Sequence, residues 1–166
     1  MPLLPVAAHC VLVQAPILCH LDYCNSLFLG VSSGLLKKLQ HAQNAATKLS
    51  LCLPRHDSFS TALDSLNWLP VVRRVAFKSL CHVHRAYYHS GQIYFRNKFT
   101  RYVPGCTLRA TDASLLAVTR FNKTRTAGRA FSVAASKLWN TLPLSLRRTQ
   151  NLVQFRKALK TWQYVQ

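Results

Sequence analysis

The 166-residue chain is long enough for one domain with a core of its own, or for two small subdomains. Apolar residues make up 49% of it, which excludes a wholly disordered polycation. Its 22 Lys and Arg face only four acids, all Asp, for a formal charge of +18. A field of that sign draws polyanions, nucleic acid first among them.

The start, MPLLPVAAHCVLVQAPILC, is apolar up to Asp22, but Pro2, Pro5 and Pro16 with His9 and Gln14 make a poor membrane-spanning helix. It also lacks the basic leader of a signal peptide. Six Cys, at 10, 19, 24, 52, 81 and 106, form no CxxC pair and read as buried free thiols. The expected location is therefore intracellular, nuclear or cytoplasmic, and not secreted; membrane insertion is disfavoured.

In chain order, Cys10 to Leu29 reads as a buried helix that Pro16 kinks or cuts short. From Ser33 an apolar row at helical spacing, Leu35, Leu39, Ala42, Ala46, Leu49 and Leu53, predicts an amphipathic helix, with Lys37, Lys38, Gln40, Gln43, Asn44 and Lys48 off the row. Ser32 or Ser33 can cap its start and Pro54 marks its end. Ser58 to Leu66 reads as a short helix with Asp57 as a candidate cap, and Pro70 opens another that runs to about His89.

Residues 91–126 are less regular. They hold the aromatic–basic alternation YFRNKFTRY, a turn at Pro104-Gly105 and a candidate strand at Leu115–Val118. A helix from about Thr126 places Phe131, Ala135, Leu138 and Leu142 on one face with Trp139 on its flank. Arg129, Ser136, Lys137 and Asn140 point the other way, and Pro143 ends or redirects it. The last helix, from about Asn151, buries Leu152, Phe155, Leu159 and Trp162 and exposes Arg156, Lys157 and Lys160. After Asp112 no acid appears, while ten basic residues run from Arg120 to Lys160. Trp139 and Trp162 read as core anchors.

Catalytic chemistry finds little footing. Two-metal phosphoryl transfer needs converging carboxylates, and Asp22, Asp57, Asp64 and Asp112 include no adjacent pair. Cys81, His82, His84 and His89 cluster without a familiar zinc-ligand spacing. Nothing places a base and an orienting partner beside a Ser or Cys nucleophile. The expectation is a chain that is not an enzyme, with no metal, cofactor or small-molecule substrate.

Five segments in fixed order, LDYCNSLFLG, LLKKLQHAQNAATKL, LNWLPVVRRVAFKSL, GRAFSVAASKLWNTLPLSLRR and NLVQFRKALKTW, resemble the C-terminal end of LINE-type, Jockey-like non-LTR retrotransposon polyproteins, the region after the reverse-transcriptase palm. The resemblance covers about Val11 to Trp162. It implies a mainly α fold: residues 1–54 similar to an irregular helical thumb, and 55–166 a basic post-thumb region. A thumb holds the primer–template duplex through sugar and phosphate, without reading sequence. The implied partners are RNA, DNA or an RNA–DNA hybrid. Lys37, Lys38 and Lys48 would meet duplex phosphates, and Arg73, Arg74, Arg129, Arg147, Arg148, Arg156 and Lys157 would form a second basic surface.

The palm carboxylates and the endonuclease are missing, and the chain opens at a Met just upstream of the thumb-like segment, as if translated from inside an older reading frame. His20, His41 and Cys106 stand where the family tends to carry Arg, the change made by deamination of CG in Arg codons. These departures imply a decaying genomic copy, which the flanking genomic sequence tests. The alternative reading is a helical protein-interaction module or a non-functional translation product.

Overall fold

A computed structural model describes residues 8, 11, 12, 14–54, 58–88, 91–104, 114–119 and 128–165. Among them the structure is mainly α, with no sheet. Its helices are α1 (Cys19–Asp22), α2 (Ser33–Ser50), α3 (Phe59–Ser65), α4 (Val71–Tyr87), α5 (Ile93–Arg96), α6 (Phe131–Asn140), α7 (Leu144–Arg148) and α8 (Leu152–Val165). One isolated antiparallel bridge, Arg101 with Leu116, stands where the sequence reads as a strand. The cap at Asp57, Gly105 of the turn, the helix start near Thr126, His89, Cys10 and Cys106 lie outside the described residues. The chain forms two compact units, Met1–Val75 and Ala76–Gln166, and the sequence boundary at Pro54 falls inside the first.

In the first unit Pro16 is absorbed by a π-helical turn, Gln14–Leu18, which widens the ladder around a residue without an N–H. That turn runs into α1, and a 3-10 turn, Asn25–Phe28, follows. The segment is not the buried helix read from the sequence: Val11, Leu12, Cys19, His20, Tyr23 and Leu27 are exposed, and Leu18 and Asn25 are buried. Leu18 packs with Ala46, Leu63 and Trp68.

Helix α2 also buries a different arc from the expected apolar row. Gln43, Ala46, Thr47 and Ser50 are buried, while Leu35 and Leu49 are 53% and 59% exposed. The buried arc, which shares only Ala46 with that row, is turned by about 70° at 100° per residue. Polar residues occupy it because each has a backbone partner. Thr47 Oγ1 and Ser50 Oγ donate to the carbonyls of Gln43 and Ala46, and Gln43 Nε2 donates to the Leu69 carbonyl at 2.8 Å. Gln40 Oε1 accepts from the Val71 N–H at 2.9 Å, satisfying one of the donors left over in the first turn of α4. Ser32 holds the N-cap position of α2, but its side chain makes no capping bond.

Helices α2 and α3 end in the same motif. After α2, Leu53 N–H reaches back to Lys48 O and Cys52 N–H to Leu49 O; after α3, Trp68 N–H reaches Leu63 O and Asn67 N–H reaches Asp64 O. These are Schellman caps, with Cys52 (φ 51°) and Asn67 (φ 56°) in the left-handed position. Trp68 and Leu63 also supply the apolar contact that accompanies such caps.

The second unit is built on the carboxyl half of α4. Leu80, Val83 and Ala86 are buried with Trp139, Phe155 and Leu159. His84 joins them, fully buried, its ring stacked on Phe155 at 4.3 Å. Its Nε2 lies 2.7 Å from the Thr149 carbonyl, so the neutral ring donates there; Nδ1 is buried with no hydrogen-bond partner.

Trp139 is the centre of the buried face of α6, not its flank, and Ser136 is buried beside it with its hydroxyl donating to Ser132 O. Trp139 Nε1 donates to Ser114 O, and the Asn140 amide both donates to Leu116 O and accepts from Leu116 N–H, each at 2.9 Å. Asn140 therefore does for Leu116 what a neighbouring strand would do. Pro143 redirects the chain into α7. Asn151 Oδ1 accepts the Val153 and Gln154 N–H groups and caps α8.

Two outcomes follow from these positions. Cys52→Gly relieves a left-handed Cβ and raises stability by about 1 kcal/mol in a denaturant titration. Burial lowers the pKa of His84, with Arg85 adding to the effect and the Thr149 bond opposing it. The unfolded chain therefore takes up this proton before the native one does. Stability should be full above pH 6.5 and fall as the pH drops below it. His84→Gln, which cannot ionise, flattens this part of the melting-temperature profile; His82, whose pKa burial also lowers, contributes in the same direction.

Candidate nucleic-acid interface

Charge divides unevenly along the chain. Residues 76–166 hold sixteen of the 22 Lys and Arg but one of the four Asp, a formal +15 against +3 for residues 1–75. That Asp is Asp112, so no carboxylate side chain lies among the described residues of the second unit. In the first unit, Asp22 holds Arg74 in a two-pronged ion pair, with Nε to Oδ1 at 2.9 Å and Nη2 to Oδ2 at 2.7 Å. Asp64 is exposed.

The ten sequence-selected residues meet different fates. On α2, Lys37 and Lys38 are exposed and Lys48 is half-buried. Lys37, His41 and Lys48 lie along one row, spanning about 16 Å of helix, the rise of roughly five base pairs. On α4, Arg73 is half-buried, and Arg74 is committed to Asp22. In the second unit Arg129, Arg148, Arg156 and Lys157 are exposed.

Arg147 does not belong with them: it is 9% exposed and its Nε donates to Leu142 O at 3.0 Å. Its own carbonyl accepts the Tyr88 hydroxyl at 2.6 Å. Burial pulls its pKa down, against a smaller opposing effect from Tyr87. Arg147 holds the α7 turn in place, and its neighbour Arg148 faces solvent.

The fold gathers cations that spacing does not reveal. Arg156 of α8 bears electrostatically on Cys81, as do Arg85 and Lys78 of α4, so all three lie within electrostatic reach of one thiol. Burial outweighs them and pushes the Cys81 thiol up to about 11, which leaves it protonated and unreactive at neutral pH. The remaining described cysteines, Cys19, Cys24 and Cys52, are free and exposed, contrary to the buried thiols read from the sequence. The Cys81–His84 cluster is dispersed in the same way: His82 stacks on Phe95 at 5.6 Å while His84 turns into the core. Among the described residues no three His, Cys, Asp or Glu side chains gather into a metal site.

YFRNKFTRY supplies a further feature. Arg96, Phe99 and Arg101 line a cleft of about 320 Å³ with Ala86, Tyr87 and Leu116. Arg96 and Arg101 are absent from the sequence-selected set; the alternation of aromatic and basic residues was the available signal.

Comparison with family models, with curated proteins and with solved structures returns no match. Among the described residues no helix is long and apolar enough to cross a membrane.

The two groups of basic residues separate by experiment. Arg74→Ala and Arg147→Ala each lower stability by about 1–2 kcal/mol in a denaturant titration. Lys37→Ala, Lys38→Ala and Lys157→Ala leave it within about 0.5 kcal/mol.

Proposed function

We propose that this protein is a non-catalytic, sequence-nonspecific nucleic-acid-binding chain of the LINE reverse-transcriptase thumb and post-thumb type. The observation that carries the reading is the net charge of residues 76–166, a formal +15, with Arg129, Arg156 and Lys157 exposed. Lys37 and Lys38 on α2 add an exposed pair in the segment that resembles a thumb.

Contacts of this kind act on phosphate, so they orient a duplex without selecting its sequence. The proposed partner is RNA, DNA or their hybrid, and the proposed location is intracellular. No reaction is assigned: Asp22 is engaged by Arg74, and the Cys81 thiol is held protonated.

Titration of the protein with a short RNA–DNA hybrid at several salt concentrations tests the reading. Six phosphate contacts give a slope of about −5 in log K against log salt, and Lys37→Ala or Lys157→Ala each reduce it by about 1. A slope near zero would sink the proposal.

A second reading, a helical protein-interaction module, is favoured by the exposed apolar row Leu35, Ala42 and Leu49 on α2. A defined complex that survives nuclease digestion and is lost in Leu49→Ser would support it.

A further inference from the structure

The cleft formed by Tyr87, Arg96, Phe99, Arg101 and Leu116 is built differently from the surrounding basic surface. A surface arginine is usually a mobile point of charge, whereas Arg101 is fixed at both ends. Its main chain sits in the bridge to Leu116, where Tyr102 N–H donates to Leu115 O at 3.0 Å and Ala117 N–H to Thr100 O at 2.8 Å. Leu116 is in turn clamped by the Asn140 amide. At the other end of the side chain, Nη2 donates to Tyr87 O at 3.1 Å, and the guanidinium carbon stands 4.4 Å over the Tyr87 ring.

Tyr87 is also stacked with buried Trp139, at 5.5 Å and 27°. Tyr87 thus contacts both the buried Trp139 and the exposed Arg101. Arg96, also exposed, lines the same cleft.

We propose that this cleft takes one unpaired nucleotide of a single strand, with the base laid on the outer face of Arg101 and a flanking phosphate at Arg96; the proposal rests on the nucleic-acid reading above. A guanidinium plane is a stacking platform for a base, and an unpaired base has a free face to offer where a base within a duplex has none. The volume, about 320 Å³, is at the small end of ligand sites and suits a single nucleotide. Phe99, Leu116 and Ala86 give the cleft an apolar side that a flat base can cover and a free phosphate cannot. The site selects for an unpaired base without selecting which base, since every base has such a face.

Fluorescence anisotropy with labelled oligo(dT) and the full chain tests this. The competitors are an abasic strand of equal length, thymidine monophosphate, an RNA–DNA hybrid and polyaspartate. The base-bearing strand should compete about tenfold better than the abasic strand, because stacking is lost with the base. Arg101→Lys, which keeps the charge and removes the plane, should erase that difference while largely keeping abasic binding, with a small drop in melting temperature from the weakened Tyr87 contacts. Arg96→Ala should weaken both strands together, by about threefold, as the loss of one phosphate contact.

Equal competition by the two strands, or a preference that survives Arg101→Lys, overturns the cleft. Thymidine monophosphate competing as well as the oligomer overturns the strand assignment, and polyaspartate doing so would point to an acidic peptide instead. Hybrid binding with its salt dependence intact in any of these cases leaves the broader reading standing. Loss of all nucleic-acid binding would remove both.

Discussion

Backbone carbonyls do in this protein what carboxylates do in most others. With four acids against 22 basic residues, the polar side chains that enter the interior cannot be satisfied by ion pairs. They reach instead for carbonyls on distant segments: Gln43 to Leu69, His84 to Thr149, Tyr88 to Arg147, Trp139 to Ser114, Asn140 to Leu116. A buried donor left without a partner costs about 1–3 kcal/mol, so each pairing specifies one placement of its loop. Arg74 with Asp22 shows what an available acid allows.

This solution has a functional consequence. Among the described residues, most Lys and Arg side chains are exposed. Arg147 is the instructive case: drawn inward, it pairs with a carbonyl and leaves the exposed surface. Arg101 shows the intermediate outcome, anchored on a carbonyl and an aromatic ring yet exposed on its outer side. Position relative to the aromatic core therefore separates cations that hold the fold from cations available to a polyanion. Arg147 and Arg148 are adjacent in sequence, yet the first is buried and the second exposed.

Helix existence was legible in the sequence where punctuation was strong. Pro54, Pro70 and Pro143 each bound a helix, and Asn151 caps the last one. Helix rotation was less legible. Counting apolar residues placed Leu35 and Leu49 inside α2, but Gln40 and Gln43 have long-range backbone partners near Leu69–Val71, and those bonds decide which way the helix faces. In α6 the same reading put Trp139 on the flank and Asn140 outward; both are held by the 114–116 segment, whose partner no periodicity within α6 reveals. The single bridge at Arg101 and Leu116 reads as a strand in sequence because an apolar run with β-branched residues looks the same whether a strand or an asparagine pairs with it.

The amino-acid sequence by itself determined the helical class, the large positive charge and the scarcity of carboxylates, because composition and helical punctuation are local properties that survive any arrangement. Only the tertiary structure decided which helix faces are buried, which arginines are committed to the fold, and that Arg101 lies over the Tyr87 ring. Those outcomes depend on contacts between residues far apart in the chain, such as His84 with Thr149 and Tyr87 with Trp139. A side chain's role there is set by the partner that folding brings to it, and one-dimensional spacing carries no record of that partner.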